Sequence, residues 1–210
     1  MKIESIDRLE NKPGRFAVHF EGGGHIPVSA AQIADFGLYS GRELSDSEYI
    51  EMIEGLKLGS SKARALRILG SRSLSAREVE KRLVSKGESE EIARKTVEWL
   101  EAVGAVDDED YAIAIARHYC AKGYGPIRIK DELYRRGIPR DLWDEALGGL
   151  DNVGEAAYDF LEKKLGDSRE RADVRRATDA LCRRGFGYEE ARTIVGKYIE
   201  NGDENRELSQ

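Results

Sequence analysis

Hydrophobic and polar residues alternate near the start of the chain, between segments rich in turn-forming residues. Phe16, Val18 and Phe20 fall on one face of such a stretch, and Gly22–Gly24 separate it from the next. A period of two between glycine-rich turns is typical of β-hairpins, and Pro27 favours an edge strand because it has no N–H group to donate. The pattern predicts three short strands, near residues 3–9, 15–20 and 25–28.

Two helix starts follow the predicted strands. Ser29 with Gln32, and Ser45 with Glu48, have the spacing of a capping box, in which each side chain of the pair accepts a hydrogen bond from the other residue's backbone N–H. Gly37 suits the end of the first helix. We expect two short helices that cover the small sheet and lead into the rest of the chain.

The main signal in the chain is an internal repeat. Three helical segments each end in a glycine, at Gly87, Gly137 and Gly185, and these glycines are 50 and 48 residues apart. We call these segments the frame helices. Apolar residues four positions apart define one buried stripe on each frame helix. These pairs are Val79/Leu83, Ile129/Leu133 and Ala177/Leu181.

The ends of the frame helices carry residues that suit their positions. Ser75, Gly125 and Asp173 are acceptable N-caps, and Pro126 suits a first helical position, where its missing N–H costs nothing. Each closing glycine can adopt the left-handed conformation that ends a helix. The basic residues just before the glycines face the negative end of the helix dipole, where we expect C-capping and pairing with nearby acids. They are Lys86, Arg136 and Arg184.

Apolar residues on both sides of each frame helix complete a three-helix unit that occurs three times. Ala65, Leu66 and Leu69 precede the first frame helix, and the third unit is less regular. Units this small bury each other's open faces in a tandem array, so the predicted fold is mainly α: three-helix repeats in an elongated, curved array, after a small N-terminal β segment. The predicted divisions are the β segment with short helices (1–59), three repeats (60–109, 110–150 and 151–200) and a frayed polar tail (201–210).

Composition and charge limit the possible functions. Charged residues make up 35% of the chain, and the formal net charge of −6 argues against an avid, free-standing DNA-binding protein. The stretch Lys62–Lys86 nevertheless holds eight basic and two acidic residues, which allows a local basic face that meets phosphates. No apolar run is long enough for a membrane span, and the first residues lack a signal peptide, so we expect a cytoplasmic protein.

The chemistry-bearing residues form no recognisable catalytic, cofactor or metal motif. His19, His25 and His118 are scattered, and Cys120 and Cys182 occupy different positions in their repeats. The acidic run at residues 107–110 lacks the alternating ligands and central glycine of a calcium loop, so we interpret it as a helix cap. We therefore expect neither an enzyme nor a cofactor.

Basic residues that recur at fixed offsets are the remaining candidates for function. Recurrence places them on equivalent faces of successive repeats, which suits contacts to a phosphate backbone. The alternative is that they cap helices and pair with acids on a solvated surface. The candidates are Arg64, Arg67, Arg72, Arg77, Lys81, Arg82, Arg117, Lys122, Arg128, Lys130, Arg135, Arg175, Arg176 and Arg183.

A combination of short motifs between Ala65 and Ile138 resembles the RecX regulatory proteins, which modulate the RecA recombinase. The resemblance covers residues 60–198 well and the β segment more loosely. The motifs that carry it are Ala65–Leu69, Arg72–Ser75, Lys81–Leu83, Lys86-Gly87, Trp99-Leu100, Val103–Asp108, Tyr111-Ala112, Lys122–Pro126, Glu132-Leu133 and Arg136–Ile138.

This resemblance implies tandem three-helix units and a cytoplasmic protein that binds the groove of the RecA–DNA filament. There it would modulate ATP hydrolysis, filament growth and strand exchange, with weak contacts to the DNA backbone. We expect a monomer. Two alternatives stay open: a helix-turn-helix-like DNA-binding transcription factor, which has few Asn or Gln side chains for base edges, and a scaffold that contacts protein alone.

Overall fold

The computed structural model describes residues 1–10, 12–70, 72–150 and 153–207, with side chains described up to residue 202. In these ranges the chain is mainly helical and contains one small antiparallel sheet. The elements are β1 (Ile3–Arg8), β2 (Arg15–Phe20), β3 (His25–Ser29), α1 (Ala30–Asp35), α2 (Asp46–Leu69), α3 (Ala76–Ser85), α4 (Glu90–Ala102), α5 (Asp108–Cys120), α6 (Pro126–Arg136), α7 (Trp143–Gly148), α8 (Tyr158–Lys164), α9 (Arg171–Arg183) and α10 (Tyr188–Glu207).

The sheet has the strand order β1-β2-β3, with both pairs antiparallel. Val18 and Phe20 are buried and Phe16 is half-buried, which confirms the predicted inner face. Pro27 is exposed on β3, an edge strand, as predicted. Asn11, part of the predicted turn before β2, lies outside the described residues.

Both predicted capping boxes are present, but the prediction of two short helices is wrong for the second. α2 spans 24 residues, and the predicted boundary between residues 59 and 60 lies inside it. The reason is that α2 serves two parts of the core. Its first half contributes Met52 to the cluster beneath the sheet, and its second half buries Ser61 and Ala65.

The chain divides into two compact units. Unit 1 contains residues 1–70 and 83–98, and unit 2 contains the described residues of 71–82 and 99–210. In unit 1, Ile3, Val18, Val28 and Met52 form the core beneath the sheet. On the second half of α2, the buried Ser61 hydroxyl lies 2.9 Å from the buried Thr96 hydroxyl of α4.

Among its described residues, unit 2 contains an apolar cluster in each of the last two repeats. Helices α5, α6 and α7 form the first, and α8, α9 and α10 form the second. All six residues of the predicted frame-helix stripes are buried, which confirms the 3.6-residue pattern. Leu66 is an exception among the flanking residues, because 48% of it is exposed.

The helix ends follow most of the sequence predictions. Ser75 accepts from Glu78 N–H, Gly125 is the N-cap before Pro126, and the three closing glycines have φ values of 94°, 75° and 91°. The prediction that Asp173 is an N-cap is wrong. α9 begins at Arg171, because the Glu170 carbonyl accepts from the N–H groups of Asp173 and Val174 and so adds a turn.

The last predicted segment also differs from the structure. Residues 201–207, predicted as part of a frayed tail, continue α10, and residues 208–210 lie outside the described part. Asp151 and Asn152, the first two residues of the predicted third repeat, are not among the described residues either. No helix in the described ranges is both long and apolar enough to span a membrane.

One contact recurs between repeats inside unit 2, and we call it the repeat junction. The first turn of the first frame helix lies against the closing-glycine turn of the second, and the first turn of the second lies against that of the third. Ser75 Oγ donates to the Arg136 carbonyl, and in the second junction Gly125 N–H donates to the Arg184 carbonyl at 2.9 Å. Ile127 N–H also donates to the Gly185 carbonyl at 2.9 Å. Each junction therefore joins N–H or hydroxyl donors at a helix start to carbonyls at a helix end, so the positive end of one helix dipole lies beside the negative end of the other.

Candidate functional site

The repeat junctions determine where several of the predicted basic residues lie. Arg77 lies so close to Gly137 that a Cβ at this glycine would overlap its side chain, and a Cβ at Gly185 would overlap the backbone N and the Cβ of Arg128. Arg135 and Arg183 each stand two positions before the glycine of their junction. Four candidates thus gather at two equivalent places, and all four side chains are exposed.

The arginines directly before the closing glycines have structural contacts, as their sequence positions predict. Arg136 Nε donates to Glu132 at 2.8 Å, and its guanidinium also contacts the Tyr111 hydroxyl. Burial alone would lower the pKa of Arg136, but these two partners outweigh it and raise the pKa. Arg184 lies 3.9 Å from the centre of the Phe160 ring and donates to the Lys122 carbonyl at 2.8 Å.

Arg64 and Arg67 on α2 line a concavity of about 540 Å³ in unit 1, together with Lys86. Arg64 is half-buried, donates to the Lys86 carbonyl at 2.9 Å and lies 3.4 Å from Glu88. It therefore caps the turn after α3, and a ligand would have to compete with Glu88 for its charge. Arg67 is exposed, and its Nε donates to the Ala63 carbonyl of its own helix at 3.2 Å.

A second concavity, of about 670 Å³, lies between α9 and α10 in unit 2. Arg175, a predicted candidate, lines it, and so do Arg169, Arg171 and Arg192, which the sequence did not single out. The spacing of Arg171 and Arg175, four positions apart on one helix, could have indicated this cluster. Arg192 could not be found in this way, because only the packing of α10 on α9 brings it there.

The remaining candidates do not share one surface feature. Lys130 pairs with Asp144 at 3.7 Å and Arg176 with Asp173 at 2.6 Å, and at the first repeat junction Arg135 pairs with Glu132 at 3.6 Å. Arg82 is half-buried. The other candidates are exposed on their helices or in the loops beside them: Arg72, Lys81, Arg117 and Lys122.

Comparison with known proteins agrees with these helical units. Residues 62–100 match the model of the first three-helix domain of RecX, and residues 107–147 match that of the second. The regulatory protein RecX of Mycolicibacterium vanbaalenii is 32% identical over 177 residues, which cover 78% of this chain and 96% of the relative. This chain belongs to the RecX family.

Other RecX proteins extend the match. The regulatory protein RecX of Geobacillus kaustophilus is 28% identical over 218 residues, covering 99% of this chain and 80% of the relative. A crystal structure of a regulatory protein RecX superposes with a TM-score of 0.72 at 21% identity, covering 95% of this chain and 98% of that one. RecX from Lactobacillus salivarius gives a TM-score of 0.63 at 23% identity, covering 69% and 97%. These structures confirm the predicted mainly helical fold.

Proposed function

We propose that this RecX protein is a non-enzymatic, cytoplasmic and monomeric regulator that binds the RecA–DNA filament and restrains its ATP hydrolysis, growth and strand exchange. The family supports a regulatory role, because its members are named regulatory proteins. The filament is the partner implied by the resemblance of the sequence to RecA modulators.

The repeated arrangement of cations is the observation that carries this proposal. Arg77 and Arg128 both lie in the first turn of a frame helix, beside the closing glycine of the next repeat, and Arg135 and Arg183 recur two positions before those glycines. A ligand with regularly spaced negative charges suits such a repeat better than a compact ligand does. Long, sequence-independent contacts with phosphates are made by exposed basic side chains of this kind.

The candidates that lack a partner in the fold provide the sharpest test. Lys81, Arg117 and Arg183 are exposed, and none of them forms an ion pair with another described residue. Replacement of all three by serine should leave the fold intact, because no described contact in the fold depends on their charge. We expect this variant to bind RecA filaments on single-stranded DNA more weakly and with a shallower salt dependence, with each lost phosphate contact reducing the slope by roughly one.

Co-sedimentation with RecA filaments and the rate of ATP hydrolysis are the two measurements. A matched control replaces Lys163, Lys164 and Lys197 by serine, which removes the same charge from other exposed positions. The unmodified protein and the control should both sediment with filaments and lower ATP hydrolysis. Sedimentation with no effect on hydrolysis or filament length at saturation would contradict the regulatory role.

A further inference from the structure

A groove in unit 1 lies between the sheet and α2, and it shares Arg67 with the concavity of about 540 Å³. Its volume is about 730 Å³, and Ile26, Ile53 and Leu56 give it an apolar floor. Four basic residues also line it, namely Lys12, Arg15, Lys57 and Arg67. None of the described residues that line the groove is acidic, so its charge is of one sign.

The basic side chains of this groove are available to a ligand. Lys12, Arg15 and Lys57 are exposed, and among the described residues none of them forms an ion pair or a side-chain hydrogen bond. Charge is also distributed unevenly along α2. Its acidic residues lie in its first half, up to Glu54, and its basic residues lie from Lys57 onwards. Among the described residues that line the groove, no acidic side chain therefore neutralises the basic ones.

The edge of the sheet beside the groove is poorly suited to an added peptide strand. Pro27 on β3 has no N–H group, and the N–H of Ser29 already donates to Gln32 Oε1 at 2.8 Å. A peptide that adds to a sheet depends on a regular row of free backbone groups. Recognition in this groove must therefore come from the basic side chains and the apolar floor.

We propose that this groove binds a single strand of nucleic acid, with its phosphates on the basic residues and its sugars and bases against the apolar floor. A duplex hides the faces of its bases, whereas a single strand can offer phosphates and apolar faces to one groove. None of the described side chains that line the groove is aromatic, so the contacts are made without stacking and without reading of sequence. This site goes beyond the proposed function and needs no RecA.

The test uses the full-length protein without RecA and measures fluorescence anisotropy of labelled oligo-dT, oligo-rU and a duplex of equal length over a range of salt. The variant Lys12→Ser/Arg15→Ser/Lys57→Ser should bind single strands at least about ten-fold more weakly. The slope of log K against log salt should become shallower by roughly 2, since each phosphate contact on a single strand contributes about 0.7. A selective loss for oligo-dT or for oligo-rU supports the groove and identifies its nucleic acid.

The control variant Lys163→Ser/Lys164→Ser/Lys197→Ser carries the same change in charge away from the groove, and it should retain binding. Circular dichroism melting of both variants checks that they fold. An equal loss of affinity in the two variants would overturn the proposal, as would tighter binding of the duplex than of either single strand. Competition by poly-glutamate as strong as that by oligo-dT would instead assign the groove to an acidic protein segment. Because RecA is absent, failure here leaves the proposed function untouched.

Discussion

At the scale of single residues, the structure shows side chains that satisfy the helix ends of neighbouring segments. Asp108, in the first turn of α5, accepts a hydrogen bond from Ala76 N–H at 2.9 Å. This N–H belongs to the first turn of α3, where a helix has free donors. The acidic run at residues 107–110 thus caps α5 through Asp107, as predicted, and also serves α3, which the sequence did not indicate.

Replacement of Asp108 separates the roles of its hydrogen bond and its charge. Asp108→Ala leaves the Ala76 N–H without its acceptor, and we expect a loss of about 1–2 kcal/mol in the free energy of unfolding. Asp108→Asn keeps an acceptor oxygen and should cost less. Chemical denaturation of both variants checks this order, and an equal cost would show that the hydrogen bond contributes nothing.

The raised pKa of Asp108 predicts that the stability of the folded protein depends on pH. Burial raises the pKa of Asp108 above its ordinary value of 3.8, although the hydrogen bond from Ala76 opposes this shift. The folded state therefore binds the proton of Asp108 more tightly than the unfolded state does. The contribution of Asp108 to the free energy of unfolding consequently falls as the pH rises from 3.8 through the raised pKa. Asp108→Asn should remove this contribution from the stability–pH curve.

At the scale of elements, glycines support the packing of the frame helices in two different ways. The closing glycines adopt positive φ values, which side chains with a Cβ rarely tolerate. Gly125 has an ordinary φ of −84°, but a Cβ there would lie 2.5 Å from the Gly185 carbonyl oxygen and 2.6 Å from Phe186 N. Gly125 is therefore required by the close approach of two backbones.

Gly125→Ala tests the repeat junction in a position where alanine suits the local backbone. We expect a loss of about 1–3 kcal/mol in the free energy of unfolding, because the obstructing atoms belong to the backbone and cannot rotate away. Gly196→Ala is the matched control, since no atom lies within 4 Å of its added Cβ and α10 should gain up to about 1 kcal/mol from alanine. A neutral Gly125→Ala in urea denaturation would contradict a tight junction.

At the scale of the whole molecule, the first and last apolar clusters share no described residue, and charge is distributed unevenly over the chain. The described residues of the cluster beneath the sheet run from Ile3 to Leu56, whereas those of the last apolar cluster run from Val153 to Ile199. The net charge of −6 does not describe the local surfaces, because basic residues line concavities in both units. Interactions with polyanions are therefore expected to depend on these surfaces.

Apolar clusters without shared residues predict separate responses to core substitutions. Val18 and Leu181 are both fully buried, in unit 1 and unit 2. Val18→Ala should cost about 2 kcal/mol and increase hydrogen exchange in β1–β3 and the first half of α2. Leu181→Ala should increase exchange in α8–α10 instead. Hydrogen exchange read by mass spectrometry distinguishes these patterns, and a uniform increase over the chain in either variant would argue for one cooperative core.

The sequence by itself determined the strands, the helical repeats, their closing glycines and the family resemblance, because each depends on local periodicity or on residues close in the chain. The buried positions of Val18 and Leu133 and the helix-ending position of Gly137 could be predicted without knowledge of their neighbours in space. The tertiary structure alone decided that α2 is continuous and that Arg77 and Arg128 meet the closing glycines of the next repeats. It also decided that Lys12 and Lys57 share one groove. Such contacts join residues far apart in sequence, and no local pattern specifies them.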